Sequence, residues 1–160
     1  QVYEAALSFE QTIGTSSVKA DIEYEHASGN TNNTHAMLRG GLSISAGGFT
    51  VGGSLSQRKD ISNLKNNTTN TDEISAYDLG VSYTMGDYTF GIAGAAGTHD
   101  VAAGAEDKET KWSVGATYGG LGGGVTLSAT YINADYSDSG STASDNNDGH
   151  AMIGQIKVSF

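Results

Sequence analysis

The sequence predicts an all-β protein in which antiparallel, up-and-down strands form a transmembrane β-barrel. Three observations support this class. Apolar and polar residues alternate in segments along the whole chain, short glycine turns alternate with long polar loops, and aromatic residues gather near the ends of the segments. Strict alternation indicates strands with one apolar and one polar face, and the other two features are typical of barrels that cross a membrane.

Composition sets the limits of the prediction. The chain has 160 residues, no cysteine, no proline and a formal net charge of -10. We expect a single domain over residues 1–160, without a disulfide framework or a thiolate metal site. No run of about 18 apolar residues occurs, which excludes a helical membrane span. The negative charge and the lack of Lys/Arg patches argue against nucleic acid as a partner.

Nine segments alternate in this way, each with about the length of a membrane-crossing strand. We place them at 2–9, 17–26, 35–46, 49–58, 75–85, 88–98, 109–118, 125–134 and 150–160. In "FTVGGSLSQ", for example, Phe49, Val51 and Leu55 share one face of the strand. Little helical periodicity competes with this pattern, so every element is predicted to be a strand.

The connections between these segments are of two kinds. "AGG" at 46–48, "GD" at 86–87 and "GGLGGG" at 119–124 are short and contain the glycine that tight hairpins need for positive φ. "SGNTNNT", "RKDISNLKNNTTNTDE", "HDVAAGAED" and "SDSGSTASDNNDG" are long and polar. Short turns at one rim and long loops at the other are the layout of an outer-membrane barrel.

Aromatic residues fall into two groups when the last strand is taken to run toward the short-turn rim. The lower group is Phe9, Phe49, Tyr83, Tyr88, Phe90, Tyr118 and Phe160; the upper group is Tyr3, Tyr24, Tyr77, Trp112, Tyr131 and Tyr136. From these two girdles we predict membrane-interface aromatics at Tyr77, Tyr83, Trp112, Tyr118 and Phe160. Six residues between the girdles rise roughly 15 Å, so ring length and snorkelling must complete an apolar band of roughly 25 Å.

The residues between the outward ones are predicted to face a wet interior. The candidate pore-lining residues are Asp21, Glu23, Arg39, Arg58, Asp78, Lys111 and Lys157. Basic and acidic side chains on opposing walls of a water-filled pore would set a transverse field that selects ions by sign. Arg39 is the strongest candidate because it is the only charge in the interior of its strand. The alternative is that these groups are merely solvated.

Four stretches extend the prediction to a family: "GGFTVGGSLSQRKD", "AYDLGVSYTMGDYTFGIAG", "KWSVGATYGGLGGGVTLSATYINADYSD" and "NDGHAMIGQIKVSF". Over residues 35–160 this series resembles the C-terminal half of a Gram-negative general porin. The resemblance implies a passive diffusion channel for small hydrophilic solutes and ions in the bacterial outer membrane. It also implies a homotrimer, contact with outer-membrane lipid, and a last strand read by the outer-membrane assembly machinery. The implied insertion signal is Met152, Ile156, Val158 and Phe160.

The number of segments leaves two architectures open. Such porins have 16 strands, and nine segments cannot be a complete barrel with an even strand count. If residues 2–9 form a strand, the chain is part of a barrel whose N-terminal half is missing. If residues 1–16 are a periplasmic lead-in, the other eight segments form a small closed barrel that acts as a structural or adhesion protein through its loops.

Other candidate sites are weaker. His26, His35, His99 and His150 are expected to be solvated at the upper rim, and the residues of "SDNNDG" are more consistent with a hydrated loop than with a calcium site, although loop calcium stays possible. No Ser/His/Asp trio stands out, so neither an enzyme nor a cofactor is expected. Small outward residues would suit a subunit interface and are equally explained by the tolerance of lipid for small residues: Gly40, Gly53, Gly94, Ala96, Ala116 and Ala129.

Overall fold

The computed structural model describes residues 1–28, 34–60, 73–101, 105–139 and 146–159. Its nine strands are β1 (Val2–Ile13), β2 (Ser16–Ser28), β3 (Thr34–Ala46), β4 (Phe49–Asp60), β5 (Glu73–Met85), β6 (Tyr88–Val101), β7 (Ala105–Tyr118), β8 (Val125–Ser137) and β9 (Asn147–Val158). Within these ranges no helix is long and apolar enough to cross a membrane. The prediction of an all-β chain is confirmed.

The strands form one sheet in the order β1-β2-β3-β4-β5-β6-β7-β8-β9. Every strand pairs antiparallel with the strand that follows it in sequence, which confirms the up-and-down topology. β1 and β9 are the two edges, and among the described residues they do not pair with each other. The sheet is therefore open along both edge strands.

The hypothesis that residues 1–16 are a lead-in is wrong. β1 pairs with β2 along its whole length, from Val2 opposite Ala27 to Ile13 opposite Ser16. Because an extra strand precedes the eight segments, the closed eight-stranded barrel does not match the sheet. The strand continues to Ile13 although Gln11 interrupts the apolar alternation after Phe9, and the sequence prediction therefore ended this strand too early.

Glycines form the short turns at the end of the sheet that we call the turn rim. Gly14, Gly47 and Gly86 all have positive φ in hairpins that join consecutive strands. Gly48 is more constrained, since it combines a φ of 85° with a position where an added Cβ would lie 2.6 Å from the carbonyl oxygen of Thr84. A side chain there would collide with the neighbouring strand as well as strain the turn.

At the opposite end, called the loop rim, the strands are longer than predicted. β2 continues to Ser28, β6 to Val101 and β8 to Ser137, beyond the predicted ends at 26, 98 and 134. Ladder hydrogen bonds involve only the backbone, so pairing continues where the side chains have lost their apolar alternation. Amino-acid patterning alone underestimates such extensions.

The sheet is one layer without a core. None of the described side chains is buried, whether hydrophobic or polar. Leu7 and Ile156 are each 71% exposed and Met152 is 81% exposed. An apolar surface of this extent is unfavourable in water, so another apolar phase must cover it.

Candidate functional site

One face of the sheet has an apolar band that crosses all nine strands. Residues paired across an antiparallel ladder lie on the same face, so the register defines rows that run across the sheet. One such row consists of Gln11, Val18, Ile44, Val51, Val81, Ile92, Val114, Tyr131 and Met152. Only the first member is polar. This side is called the apolar face.

Aromatic side chains are concentrated on the apolar face. Eleven of the twelve described aromatic residues lie there: Tyr3, Phe9, Tyr24, Phe49, Tyr77, Tyr83, Tyr88, Phe90, Trp112, Tyr118 and Tyr131. Toward the turn rim, ring centroids are 4.4 Å apart in the Phe49–Tyr83 pair. Nearer the loop rim, the Trp112 and Tyr131 centroids are 5.3 Å apart. Of the predicted interface aromatics, Phe160 lies outside the described residues.

Tyr136 corrects the predicted upper girdle. It lies on the opposite side of the sheet, where its ladder neighbours are Glu109 and Asn147. Its hydroxyl donates a hydrogen bond to Oδ2 of Asp107 at 3.1 Å. Tyr131 and Tyr136 are five residues apart, so an uninterrupted strand points them to opposite faces. The longer β8 explains the error.

The second face is polar and includes every predicted pore-lining residue. One of its rows consists of Ser8, Asp21, Gly41, Ser54, Asp78, Ala95 and Lys111. Glu23, Arg39, Arg58 and Lys157 lie on the same face in other rows. This side is called the polar face. The structure brings the seven candidates onto one surface, while their role in conduction stays a prediction.

Charges on the polar face do not separate into two walls. Arg39 lies directly across from Glu23 on the adjacent strand, and Lys111 Nζ is 2.5 Å from Oε1 of Glu109. Asp78 accepts a hydrogen bond from the hydroxyl of Ser54. Acidic and basic groups are therefore neighbours within this chain, in contrast to the predicted arrangement on opposing walls.

Acidic groups predominate on the polar face, chiefly on β1 and β2. The described acidic side chains on this face are Glu4, Glu10, Asp21, Glu23, Glu25, Asp78, Asp107 and Glu109, and the basic ones are Lys19, Arg39, Arg58, Lys111 and Lys157. Lys19 Nζ pairs with Oε1 of Glu10 at 2.9 Å, and Oε1 of Glu25 lies 3.0 Å from Nε2 of His35. Glu4 and Glu10 are six residues apart on β1, and this even spacing in the sequence is enough to place them on one face of the strand.

Small residues cover the middle of the polar face. Gly52 pairs with Gly80, and Gly91 pairs with Gly115, so four strands present backbone rather than side chains there. A concavity of about 410 Å³ lies over this glycine floor, with Ser and Thr hydroxyls around it. Space on this side of the sheet is left open to solvent.

The remaining candidates are dispersed. His26 and His150 lie on the apolar face near the loop rim, whereas His35 and His99 lie on the polar face. In the part of the chain that the structure describes, no three His, Cys, Asp or Glu residues are grouped to hold a metal ion. Residues 140–145 lie outside that part, so calcium binding by "SDNNDG" stays a prediction.

The predicted insertion signal lies on an edge strand. Met152, Ile156 and Val158 are exposed on the apolar face of β9, while Phe160 is outside the described residues. The six small residues proposed for a subunit interface also lie on the apolar face. Neither role is decided by these positions.

A one-layer antiparallel sheet with an apolar, aromatic-rich face and a charged, solvent-exposed face is the wall of a transmembrane β-barrel. A family model described as Gram-negative porin matches residues 1–149. The chain therefore belongs to the Gram-negative porin family and is a bacterial outer-membrane protein. No curated protein sequence matches it.

Solved outer-membrane proteins share the fold. In-vitro folded OmpT of Vibrio cholerae has a TM-score of 0.70 at 18% identity, over 97% of this chain and 49% of that one. A BenF-like porin from Pseudomonas fluorescens Pf-5 has a TM-score of 0.70 at 13% identity, over 98% and 47%. For Pseudomonas aeruginosa OccK5 (OpdH) the values are 0.67 and 15%, over 97% and 49%. The chain thus spans about half the length of these proteins.

Proposed function

We propose that this chain forms about half of the wall of an outer-membrane porin, which lets small hydrophilic solutes and ions diffuse passively. The observation that supports this most strongly is the division of one sheet into an apolar and a polar face. The apolar face contacts lipid, and the polar face lines the aqueous lumen. Charged, unburied side chains are stable in water and unfavourable in hydrocarbon, which supports contact of this face with water.

The polar face favours cations. Its described side chains include eight acidic and five basic groups, so the wall has an excess of negative charge. Fixed charge of one sign raises the local concentration of the opposite ion in a narrow aqueous space. The glycine floor keeps side chains out of the passage, which suits diffusion of hydrated solutes rather than tight binding. The proposed preference is therefore mild.

The rest of the barrel must close against β1 and β9. Nine antiparallel strands leave the two edge strands running in the same direction. Antiparallel closure then requires an odd number of further strands, which gives the even total of bacterial barrels. A missing N-terminal half of the barrel meets this requirement. We also propose homotrimeric assembly and recognition of β9 by the assembly machinery, both on the basis of family resemblance.

We further propose that the protein has no catalytic activity and needs no cofactor. Family membership supports a channel. The charged side chains of the polar face lie next to each other, where water solvates them or they form ion pairs. The eight-stranded adhesion protein is not proposed further, because β1 adds a ninth strand and the sheet edges do not pair among the described residues.

Arg39 provides the test of this function. Its guanidinium is exposed on the polar face across from Glu23, so Arg39→Ala removes positive charge from the proposed lumen. In the complete barrel that contains this chain, we expect ohmic channels in planar bilayers, with a higher cation-to-anion permeability ratio in the variant. Lys59→Ala is the matched control, because Lys59 lies on the outward side near the loop rim. Absence of channels, or equal shifts in both variants, would contradict the proposal.

A further inference from the structure

The two aromatic groups do not follow the rows of the ladder. Phe9 on β1 and Trp112 on β7 lie in the same row, through Ala20, Leu42, Gly53, Leu79 and Gly94. On β1 the other aromatic, Tyr3, lies on the loop side of Phe9. On β7 the other aromatic, Tyr118, lies on the turn side of Trp112. One row therefore includes a lower aromatic at one end and an upper aromatic at the other.

The upper aromatics define an oblique line. The row of Tyr131 on β8 meets β1 at Gln11, eight residues beyond Tyr3. Eight residues span about 26 Å along a strand, and seven strand spacings span about 34 Å, which gives an angle of about 38°. Tyr24 and Tyr77 fall between these ends, in rows that meet β1 at Ala5 and Leu7. Transmembrane strands tilt by roughly the same angle, 35–45°.

Outward polarity changes across this line. On β7 to β9, all the outward residues on the loop side of Trp112 and Tyr131 are polar: Glu106, Lys108, Thr110, Asn133, Asp135, Ser137, Asp148 and His150. The row that contains Thr110, Asp135 and Asp148 begins at Leu7 and Ile22 on the first two strands. The same row is thus apolar at one end of the sheet and charged at the other.

The polar extension is a substantial structure. It continues for six residues from Trp112 to Glu106 and from Tyr131 to Ser137, which corresponds to a height of roughly 15 Å for tilted strands. Lys108 Nζ is 3.6 Å from Oε2 of Glu106. A groove of about 380 Å³ is lined mainly by outward residues, among them Lys108, Thr110, Asp135 and Asp148, together with Tyr136 and Asn147 of the polar face. We call this extension the β7–β9 wall.

We propose that the bilayer surface crosses the sheet along the line from Tyr3 to Tyr131, and that the β7–β9 wall stands in the headgroup layer and the water beyond it. The wall continues the lipid-facing surface upward, where charged, hydroxyl and amide groups match hydrated headgroups. If the bilayer surface instead followed the rows, Asp135 and Asp148 would lie at the depth of Leu7 and Ile22 in hydrocarbon. Such burial of charge is costly. The inference rests on outer-membrane insertion, independently of solute passage.

Trp112 reports the depth of this line without a change in the protein. With the protein in vesicles, phosphatidylcholines brominated near the headgroup or near the bilayer centre are compared as fluorescence quenchers. Trp112→Phe supplies the background signal. We expect stronger quenching of Trp112 by the shallow bromines, because the line places this residue at the interface. Stronger quenching by the deep bromines would place the row of Phe9 and Trp112 at one mid-membrane depth and overturn the proposal.

Single cysteines in one row provide the second test. Ile22→Cys and Asp135→Cys share a row, and the chain has no native cysteine. Heat-modifiable migration on a gel shows that each variant is folded. We expect a charged, membrane-impermeant maleimide to label Asp135→Cys at least about tenfold faster, because the reagent cannot enter hydrocarbon. Equal rates, or faster labelling of Ile22→Cys, would overturn the oblique boundary.

Discussion

The two faces of the sheet differ completely although they share one backbone. On β5, Asp78 and Leu79 are sequence neighbours, yet Asp78 bonds to Ser54 on the polar face and Leu79 is exposed on the apolar face. Since no described side chain is buried between layers, the sheet is held by its backbone ladder and by the phase on each side. Lipid on the apolar side therefore takes the place of a buried hydrophobic core.

Arginine substitutions at these two neighbours test the comparison most severely. Leu79→Arg puts a charge into the apolar band, where we expect a loss of about 2–4 kcal/mol in the free energy of unfolding and poor insertion. Asp78→Arg changes the polar face, where water solvates the charge, and we expect normal insertion. Folding into vesicles is followed by heat-modifiable migration and by denaturant titration. Similar losses in both variants would contradict the assignment of the faces.

Two glycines on the apolar face differ in the room that the neighbouring strand leaves for a side chain. An added Cβ at Gly53 would lie 2.5 Å from the carbonyl oxygen of Asp78, whereas at Gly40 the nearest atom lies 3.6 Å away. We expect Gly53→Ala to lower the free energy of unfolding by about 1–3 kcal/mol through overpacking. Gly40→Ala should change it by less than about 0.5 kcal/mol. If both variants lose equally little stability, lipid contact and not the backbone ladder determines the effect of an added methyl group at both positions.

Side-chain pairs on the two faces give the smallest expected effects. A double-mutant cycle on Phe49 and Tyr83, whose rings are 4.4 Å apart, should yield a coupling energy of about 0.5–1.5 kcal/mol that salt does not change. A cycle on the solvent-exposed pair Glu109 and Lys111 should yield about 0.2–1 kcal/mol and fall as salt is raised. A coupling energy of the aromatic pair that changes with salt, or one of the charged pair that does not, would contradict the assignment of the first pair to lipid and the second to water.

The sequence was sufficient for the strands and for their faces, because a period of two is visible wherever one side contacts lipid. It was insufficient for their ends. Beyond the bilayer both faces are wet, so β8 reaches Ser137 without an apolar signal and carries Tyr136 onto the polar face.

Neighbours across the sheet could not be predicted either. Register places Arg39 opposite Glu23 on the adjacent strand. It also places Phe9 and Trp112 in one row. Register is set by turn geometry and by the match of apolar faces between neighbouring strands, and the spacing within a single strand does not reveal it. The candidate charges share one face of the sheet, and acidic and basic members lie on adjacent strands, while their part in lining a pore stays a prediction.

In the proposed porin, the polar face lines the passage. This is tested most directly by recording single channels of the complete barrel with Asp78→Cys or Leu79→Cys in planar bilayers while a charged, membrane-impermeant thiol reagent is added. The chain has no native cysteine, so only the introduced thiol reacts. We predict stepwise drops in conductance for Asp78→Cys and none for Leu79→Cys. Unchanged conductance of modified Asp78→Cys, or drops confined to Leu79→Cys, would contradict a polar face that lines the passage.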